Sequence, residues 1–200
     1  FSDEMEYVEF HPFWNVPDSI KTNELLPGLL AGRDPLARQG LVAKYKGRTV
    51  DPYSVDWSSI DIRRFHIYQP PGRGNALGII KFMFPNKHDV YMHDTPSKSL
   101  FNASARAFSH GCMRVRNPLK FAEVVLGEGL GWDRKEIDRH IARGENEQVH
   151  FDRKIPIHIT GSGSTMFAIV NDRVQRMKDD IQRSEGNIGA LKRELSLLKD

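Results

Sequence analysis

Two runs of β-prone residues lie close together near the middle of this 200-residue chain. Residues 79–84 and 89–93 are separated by the four residues "PNKH", and turn-forming residues between two such runs predict a β-hairpin. Because side chains alternate between the two faces of a strand, Tyr91 and His93 are expected on the same face. The hairpin places an antiparallel sheet at the centre of the fold, with His93 where the second strand ends.

Helix signals follow later in the chain. Asn117 and Pro118 predict a helix start, because Asn can cap a helix and Pro at the first helical position has no amide hydrogen to leave unpaired. Asp133 with Glu136 three residues later resembles a capping box, and this second helix is expected to end near Gly144. We therefore expect two helices C-terminal to the hairpin.

The first third of the chain has a less regular pattern. Residues 1–59 are rich in Pro, Trp and Asp, and they predict an irregular, partly helical region with short helices near residues 23–31 and 35–41. Residues 69–78 contain too much Pro and Gly for a regular element, and they predict a surface loop that leads into the sheet.

Two further strands are expected over residues 149–151 and 155–160, so residues 1–160 predict one α+β domain with a predominantly β centre. The sequence "GSGST", residues 161–165, has the composition of a flexible linker. Residues 166–200 predict an α-helix, because their apolar residues recur at alternating spacings of three and four, the heptad pattern of a coiled coil. This helix could fold back on its own domain, or it could mediate self-association.

Charge and composition argue against several classes of partner. The 29 basic and 26 acidic residues give a net charge of +3 and are interspersed, which argues against nucleic-acid binding. No run of residues reaches the roughly 18 to 20 apolar positions that cross a bilayer. Since the chain begins with Phe1 and not with methionine, we expect a processed piece whose export signal is not included.

The only cysteine of the chain is the centre of the expected chemistry. The thiol of Cys112 reacts as a thiolate, and an imidazole within hydrogen-bond reach could accept its proton. His110 is two residues away, whereas His93 would have to arrive from another strand. Gly111 lets the backbone bring amide hydrogens near a reacting carbonyl oxygen, so a nucleophile and an oxyanion site could share three residues.

Two other interpretations of this cysteine are open. Cys112 could be a small buried hydrophobic residue, or it could bind zinc together with His93, Asp94 and His110. Its polar neighbours argue against the first interpretation, and the lack of paired cysteines argues against the second.

The segment from His93 to Arg114 resembles the signature of the L,D-transpeptidase catalytic domain, often called YkuD-like. That signature is a His, a spacer, Ser or Thr followed by His-Gly-Cys, a hydrophobic residue, and Arg or Asn. Here His93 and Ser109 enclose fifteen residues, and Met113 and Arg114 complete the pattern. The similarity also covers "FSDEMEYVEFHPFWNVP", "DPYSVDW", "QPPGRGNALGIIKFMFPN" and "IPIHIT". The chain looks like the larger Gram-negative subgroup, whose catalytic domain carries a capping insertion, here residues 22–59.

The resemblance implies a YkuD-like β-sandwich or mixed sheet with short helices, and a cysteine acyltransferase that acts on peptidoglycan stem peptides without a cofactor or a metal. Cys112 would attack the carbonyl between meso-diaminopimelate and a terminal D-alanine, and the side-chain amine of a second stem would resolve the thioester as a 3→3 cross-link. His93 would be the general base, oriented through the backbone carbonyl of Asp94. His110 and Gly111 would shape the oxyanion site with the Cys112 amide.

Other residues in and near the motif are expected to frame the pocket or to bind substrate. They are Tyr91, Asp94, Phe101, Arg106, Ser109, Arg114 and Asn117. Arg114 and Arg116 would lie on the same side as Cys112 in an extended segment and would suit a carboxylate-bearing substrate, unless they are solvated surface charges.

The resemblance also implies a periplasmic enzyme that carbapenems, a class of β-lactam, acylate. Its acceptor could be a second stem peptide, a lipoprotein or an outer-membrane protein. Two other functions are open: a cysteine peptidase or amidase that hydrolyses its thioester, and an inactive peptidoglycan-binding scaffold whose coiled coil carries the function.

Overall fold

Two β-sheets and several short helices make up the fold. The computed structural model describes residues 2–103, 112–160 and 167–170. In chain order, the strands are β1 (Ser2–Phe10), β2 (Trp14–Asn15), β3 (Val42–Tyr45), β4 (Arg48–Thr49), β5 (His66–Gln69), β6 (Ile80–Met83), β7 (Met92–His93), β8 (Met113–Arg114), β9 (Glu147–Thr160) and β10 (Phe167–Val170). The helices are α1 (Asp18–Ile20), α2 (Leu26–Leu30), α3 (Pro35–Arg38), α4 (Pro118–Leu130) and α5 (Arg134–Arg143), with a π-helical turn between α1 and α2. These mixed sheets with short helices fit the predicted α+β class.

The larger sheet has the strand order β10-β9-β1-β6-β7-β8. Its pairs are antiparallel except β7 with β8, which run parallel. The predicted hairpin is confirmed, because β6 and β7 pair as Lys81 with His93 and Phe82 with Met92. The sheet therefore carries His93 next to the strand that follows the cysteine.

Residues 2–10 are a central strand of this sheet, so the prediction of an irregular region over residues 1–59 is wrong for its first part. The pairing of β1 with β9 shifts in register between Met5 and Tyr7. Met5, Val8 and Phe10 face the core, and this shift breaks the simple alternation by which a strand is identified in a sequence.

One face of the larger sheet packs against α4 and α5 to form the main core. Its fully buried side chains include Phe10, Phe82, Val125, Leu126, Ile137 and Ile157. The helix starts are confirmed: α4 begins at Pro118, and the Asp133 carboxylate accepts a hydrogen bond from the Glu136 amide at 2.9 Å. The Asn117 side chain makes no capping bond to α4, which lies wholly within the described residues. The second helix ends at Gly144, which has a positive φ of 71°.

The two predicted strands near the C-terminus are one strand, β9. Both halves pair with β1, and the register shift between them accommodates residues 152–154 without ending the strand. Residues 167–170 also form a strand, β10, which pairs with the end of β9. The helix over residues 166–200 stays a prediction. Apart from this strand, the predicted linker and helix lie outside the described residues.

The smaller sheet, with the order β2-β5-β3-β4, forms the centre of a second unit, residues 13–69, which we call the cap. It has its own core, which includes Leu25, Leu36, Trp57, Ile62 and Ile67. The predicted insertion over residues 22–59 lies inside this unit, but the sheet extends from Trp14 to Gln69. Helices do form near residues 23–31 and at Pro35–Arg38, as predicted. Within the described part of the chain, no helix has the length and apolar character needed to cross a membrane.

The segment between the two sheets, residues 69–78, is organised around buried amides and is more than a surface loop. Asn75 is 1% exposed, and its amide nitrogen donates hydrogen bonds to the carbonyl oxygens of Pro12 at 3.0 Å and Pro70 at 2.9 Å. Its side-chain oxygen accepts a hydrogen bond from the Leu77 amide at 2.8 Å. These side-chain hydrogen bonds satisfy backbone groups that have no partner strand in this segment. They also fix the position at which the chain enters β6.

Candidate active site

The candidate site lies where β7 and β8 run side by side. Their register pairs His93 with Arg114, and Met113 and Val115 donate backbone hydrogen bonds to the carbonyl oxygens of Tyr91 and His93 at 2.9 and 2.8 Å. Cys112 directly precedes β8. The strand-end histidine and the cysteine, far apart in sequence, therefore arrive on adjacent segments of one sheet.

Tyr91 interacts with both of these residues. Its ring meets the His93 ring edge to face, with 5.9 Å between centroids, which confirms that the two side chains share a face. Burial raises the pKa of Tyr91, and the charge of Cys112 and a side-chain hydrogen bond with it raise this pKa further. The phenol therefore stays protonated beside the sulfur at physiological pH.

Cys112 is partly exposed, and as the only cysteine of the chain it cannot form an internal disulfide. Its Sγ donates a weak hydrogen bond to the carbonyl oxygen of Asp89 at 3.8 Å, and it has the hydrogen bond with Tyr91. A sulfur with polar neighbours and access to solvent is not an inert core residue. This geometry disfavours the buried-hydrophobe interpretation of the only cysteine.

His93 is 5% exposed, and its Nδ1 is hydrogen bonded to the backbone carbonyl of Asp94. Burial is the main cause that lowers the pKa of His93 to about 4; the charge of Arg114 lowers it as well, whereas the Asp94 carbonyl opposes the change. The ring is therefore neutral at pH 7. Because a carbonyl oxygen can only accept, Nδ1 carries the proton and Nε2 is left as the basic nitrogen.

The Asp94 side chain anchors the loop that follows β7. Its carboxylate accepts a hydrogen bond from the Ile79 amide at 3.1 Å and forms an ion pair with Lys98, while its own amide donates to Ile80. Gly78 has a positive φ of 64°, and a Cβ there would overlap the Asp94 carboxylate. The carbonyl that orients His93 is thus held by a carboxylate-centred network, which we did not predict from the sequence.

A transverse row of polar residues crosses the sheet through the site. The register pairs Gln148 with Glu9, Glu9 with Lys81, and Lys81 with His93. The Lys81 ammonium lies 3.6 Å from the Glu9 carboxylate and 4.4 Å from the centroid of the Tyr91 ring. A lysine inside the apolar run "IIKFMF" is the sequence signal that could have identified this row.

Beyond Lys81, a cleft of about 630 Å³ separates the larger sheet from the cap. Its floor comes from β1, β6 and β9, and its wall comes from residues of the cap sheet, including His66 and Tyr68. Lys81, the partner of His93 across β6 and β7, lines one end of the cleft. The cleft is therefore adjacent to His93 and Cys112, the candidate catalytic pair.

The predicted substrate-binding residues have different surroundings. Within the described residues, the Arg114 Nε is buried without a hydrogen-bond partner, whereas Arg116 is exposed. Asn117 is exposed before α4, and Phe101 is half-buried in a 3-10 turn. Arg106, Ser109, His110 and Gly111 lie outside the described residues. Over residues 2–103 and 112–160, no group of three or more His, Cys, Asp and Glu side chains is arranged to hold a metal ion.

Comparison with known proteins gives two results. A family model described as the L,D-transpeptidase catalytic domain, YkuD, matches residues 1–169. A Haemophilus influenzae protein whose name assigns it provisionally to the L,D-transpeptidases is 36% identical over 126 residues, which are 62% of this chain and 26% of that protein. The chain therefore spans about a quarter of the length of this curated relative.

Proposed function

Since the chain belongs to the family of L,D-transpeptidase catalytic domains, we propose that it is a cysteine acyltransferase that acts on peptidoglycan stem peptides. The observation that carries the proposal is the parallel pairing of β7 with β8, because it brings a neutral His93 and a partly exposed Cys112 to one face of the sheet. The hydrogen bond between Nδ1 and the Asp94 carbonyl supports His93 as general base, since it leaves Nε2 for the thiol proton.

In the first half-reaction, Nε2 of His93 accepts the thiol proton, and the Cys112 sulfur attacks the carbonyl carbon between meso-diaminopimelate and D-alanine. A C–S bond forms, and the C–N bond to D-alanine breaks. The imidazolium returns its proton to the departing amine, which leaves a thioester and a neutral base. Gly111, His110 and the Cys112 amide are proposed to hold the oxyanion.

In the second half-reaction, the side-chain amine of a second stem attacks the thioester. A C–N bond forms, the C–S bond breaks, and the product is a 3→3 cross-link. A lipoprotein or an outer-membrane protein with an accessible amine is the alternative acceptor.

Burial and hydrogen bonding support roles for two further residues, Arg114 and Tyr91. Arg114 adjoins His93, and its buried Nε is proposed to bind a carboxylate of the donor stem. Tyr91 is proposed to hold the sulfur in place by its hydroxyl group. Arg106, Ser109 and Asn117 are proposed to complete the donor pocket. We assign the enzyme to the periplasm, where its substrate lies.

Mass spectrometry after exposure to a carbapenem tests the nucleophile. The expected result is a covalent adduct that maps to Cys112 and is absent in Cys112→Ser. His93→Ala should lower the rate of adduct formation at least about a hundredfold, which is the low end for loss of a general base. His110→Ala should impair it less. Adduct formation at the wild-type rate in His93→Ala would overturn the assignment of the base.

Product analysis with defined stem peptides tests the reaction type. Incubation with a tetrapeptide stem should release D-alanine and yield a cross-linked dimer. Release of D-alanine with only a free tripeptide as product would identify a hydrolytic peptidase or amidase instead. A protein that binds the stems and forms neither an adduct nor a product would be a scaffold.

A further inference from the structure

The order of the strands fixes what lies on each side of the candidate base. Cys112 and Arg114 are on the β8 side of His93, and Lys81 on β6 is on its other side. The cleft beside the cap extends from Lys81 over β1 and β9. A molecule bound in this cleft would therefore reach the sulfur by passing the imidazole of His93.

Lys81 and Glu9 on the floor of the cleft form an ion pair without a short hydrogen bond between them. The Lys81 ammonium and the Glu9 carboxylate are 3.6 Å apart, which is longer than an N–H···O hydrogen bond. Glu9 also accepts a hydrogen bond from the Asn146 side chain at 2.9 Å, and Gln148 lies beside it in register. The two charged side chains are only 15% and 9% exposed, so a charged ligand would meet them in partly desolvated surroundings.

The wall of the cleft is an aromatic ledge from the cap. Tyr68 stacks on His66 at 4.9 Å and meets Phe13 edge to face at 5.8 Å, and the Lys44 ammonium lies 5.3 Å from the Tyr68 centroid. Phe13 is 40% exposed, so its ring adds accessible apolar surface to this ledge. The cleft thus combines two lysines, one carboxylate and an apolar ledge, and it suits an aliphatic chain that ends in an amine next to a carboxylate.

We propose that this cleft is the acceptor site of the second half-reaction and that Lys81 binds the carboxylate adjacent to the attacking amine. The inference rests on the proposed function. Because Lys81 is the direct partner of His93 across β6 and β7, a carboxylate on Lys81 places the neighbouring amine at the imidazole. The neutral amine attacks the thioester carbon, its surplus proton passes to Nε2 of His93, and the C–S electron pair leaves with the sulfur. The imidazolium then protonates that sulfur, so the enzyme is regenerated.

A comparison of two acceptors tests the role of Lys81. One acceptor is a stem tripeptide that ends in meso-diaminopimelate, and the other is the same tripeptide with a carboxamide in place of the carboxylate next to its side-chain amine. The two acceptors compete in one reaction for the same thioester, so the ratio of the two cross-linking rates does not depend on how fast the thioester forms. We expect the wild-type protein to prefer the carboxylate acceptor by about tenfold, the effect of one charged hydrogen bond. Equal rates with the two acceptors in the wild-type protein would overturn the inference.

Substitutions test whether Lys81 is the source of the preference for the carboxylate acceptor. Lys81→Met should remove it, and so should Lys81→Met combined with Glu9→Gln, which leaves no buried carboxylate without its cation. Lys154→Met is the matched control, because Lys154 also pairs with a glutamate of β1, at 2.6 Å from Glu6, outside the cleft lining. The control should retain the preference. Retention in either Lys81 variant would overturn the inference.

The proposed function is tested separately by the carbapenem adduct. A wild-type protein that forms the adduct on Cys112 but shows no carboxylate preference disproves the acceptor site and leaves the proposed function standing. A wild-type protein that forms no adduct disproves both.

Discussion

Lys81 and His93 are direct partners across β6 and β7, on the face of the sheet that also carries Tyr91. Burial is the main reason that the pKa of His93 lies near 4; the Lys81 and Arg114 charges lower it further, and the Asp94 hydrogen bond opposes them. The arrangement keeps the imidazole neutral at pH 7, and it keeps a cation within the same partly desolvated surroundings. Under the proposed function, this row of residues supplies both the base and a cation for the incoming substrate.

The low pKa of His93 makes protein stability depend on pH. In the unfolded chain this histidine binds a proton near pH 6.5, whereas in the folded protein it does so only near pH 4. The unfolded chain therefore binds this proton first, so the contribution of His93 to the free energy of unfolding is fully present above pH 6.5 and is lost as the pH falls to 4. The loss amounts to about 3 kcal/mol. Urea unfolding at pH 7 and pH 4 should show that His93→Gln removes about this part of the decline. His88→Gln, at an exposed histidine, should retain the decline of the wild-type protein.

Gly78 is expected to be more sensitive to substitution than other glycines with positive φ. Gly78→Ala introduces a Cβ that overlaps the Asp94 carboxylate, whereas Gly32, with a φ of 69°, has no atom within 4 Å of the added Cβ. Both alanine variants incur the conformational cost of about 1 kcal/mol, but only the first incurs the overlap. Chemical denaturation should show a free energy of unfolding at least about 1 kcal/mol lower for Gly78→Ala than for Gly32→Ala. Equal losses would mean that the Asp94 network yields without cost.

The hairpin, the two helix starts and the position of His93 at a strand end were predictable because each depends on local rules. Turn residues, a capping box and strand alternation act over a few positions, and "PNKH", Asp133 and Glu136 carry these signals directly. The strand at residues 2–10 was not predictable in this way, because its pairing with β9 shifts at Met5 and no local pattern records the shift.

The residues around the candidate base were also beyond local rules. Lys81 carries a local signal because it interrupts an apolar run, but Glu9 and Gln148 join it only through strand pairing over a long sequence separation. Alone, each of these two would be interpreted as a surface charge or amide. The same holds for Gly78, whose importance depends on the carboxylate of Asp94. Motif residues were identifiable from the sequence, whereas the residues that position them were not.

Tyr91→Phe is expected to separate the role of the hydroxyl group from that of the ring. The ring would keep its contacts with His93 and Lys81, so the free energy of unfolding should change by no more than about 1 kcal/mol. The sulfur would lose its hydrogen bond, and the rate of carbapenem adduct formation on Cys112 should fall by about tenfold. Tyr53→Phe, at a residue that is 70% exposed, is the control and should leave both quantities unchanged. A wild-type adduct rate in Tyr91→Phe would show that the hydroxyl group does not position the sulfur.

Two substitutions of Asn75 are expected to lower the free energy of unfolding for different reasons, one by loss of hydrogen bonds and the other by burial of a charge. Asn75→Ala removes the amide that donates to the carbonyl oxygens of Pro12, Gln69 and Pro70, and it should lower the free energy of unfolding by about 3 kcal/mol. Asn75→Asp keeps the oxygen that accepts from Leu77, but it turns a carboxylate oxygen towards these carbonyl groups. An unpaired buried charge costs more than a missing donor, so the Asp variant should be the less stable of the two at pH 7.

The difference between the two Asn75 variants should shrink as the pH falls, because a protonated carboxyl group can again donate to a carbonyl oxygen. Urea unfolding of both variants at pH 7 and pH 4 provides the measurement, and Asn102→Asp, at an exposed position, is the matched control. An Asp variant as stable as the Ala variant at pH 7 would mean that the loop rearranges to expose residue 75. Because this loop leads into β6 and hence to Lys81, such a rearrangement should also change the preference between the carboxylate and carboxamide acceptors.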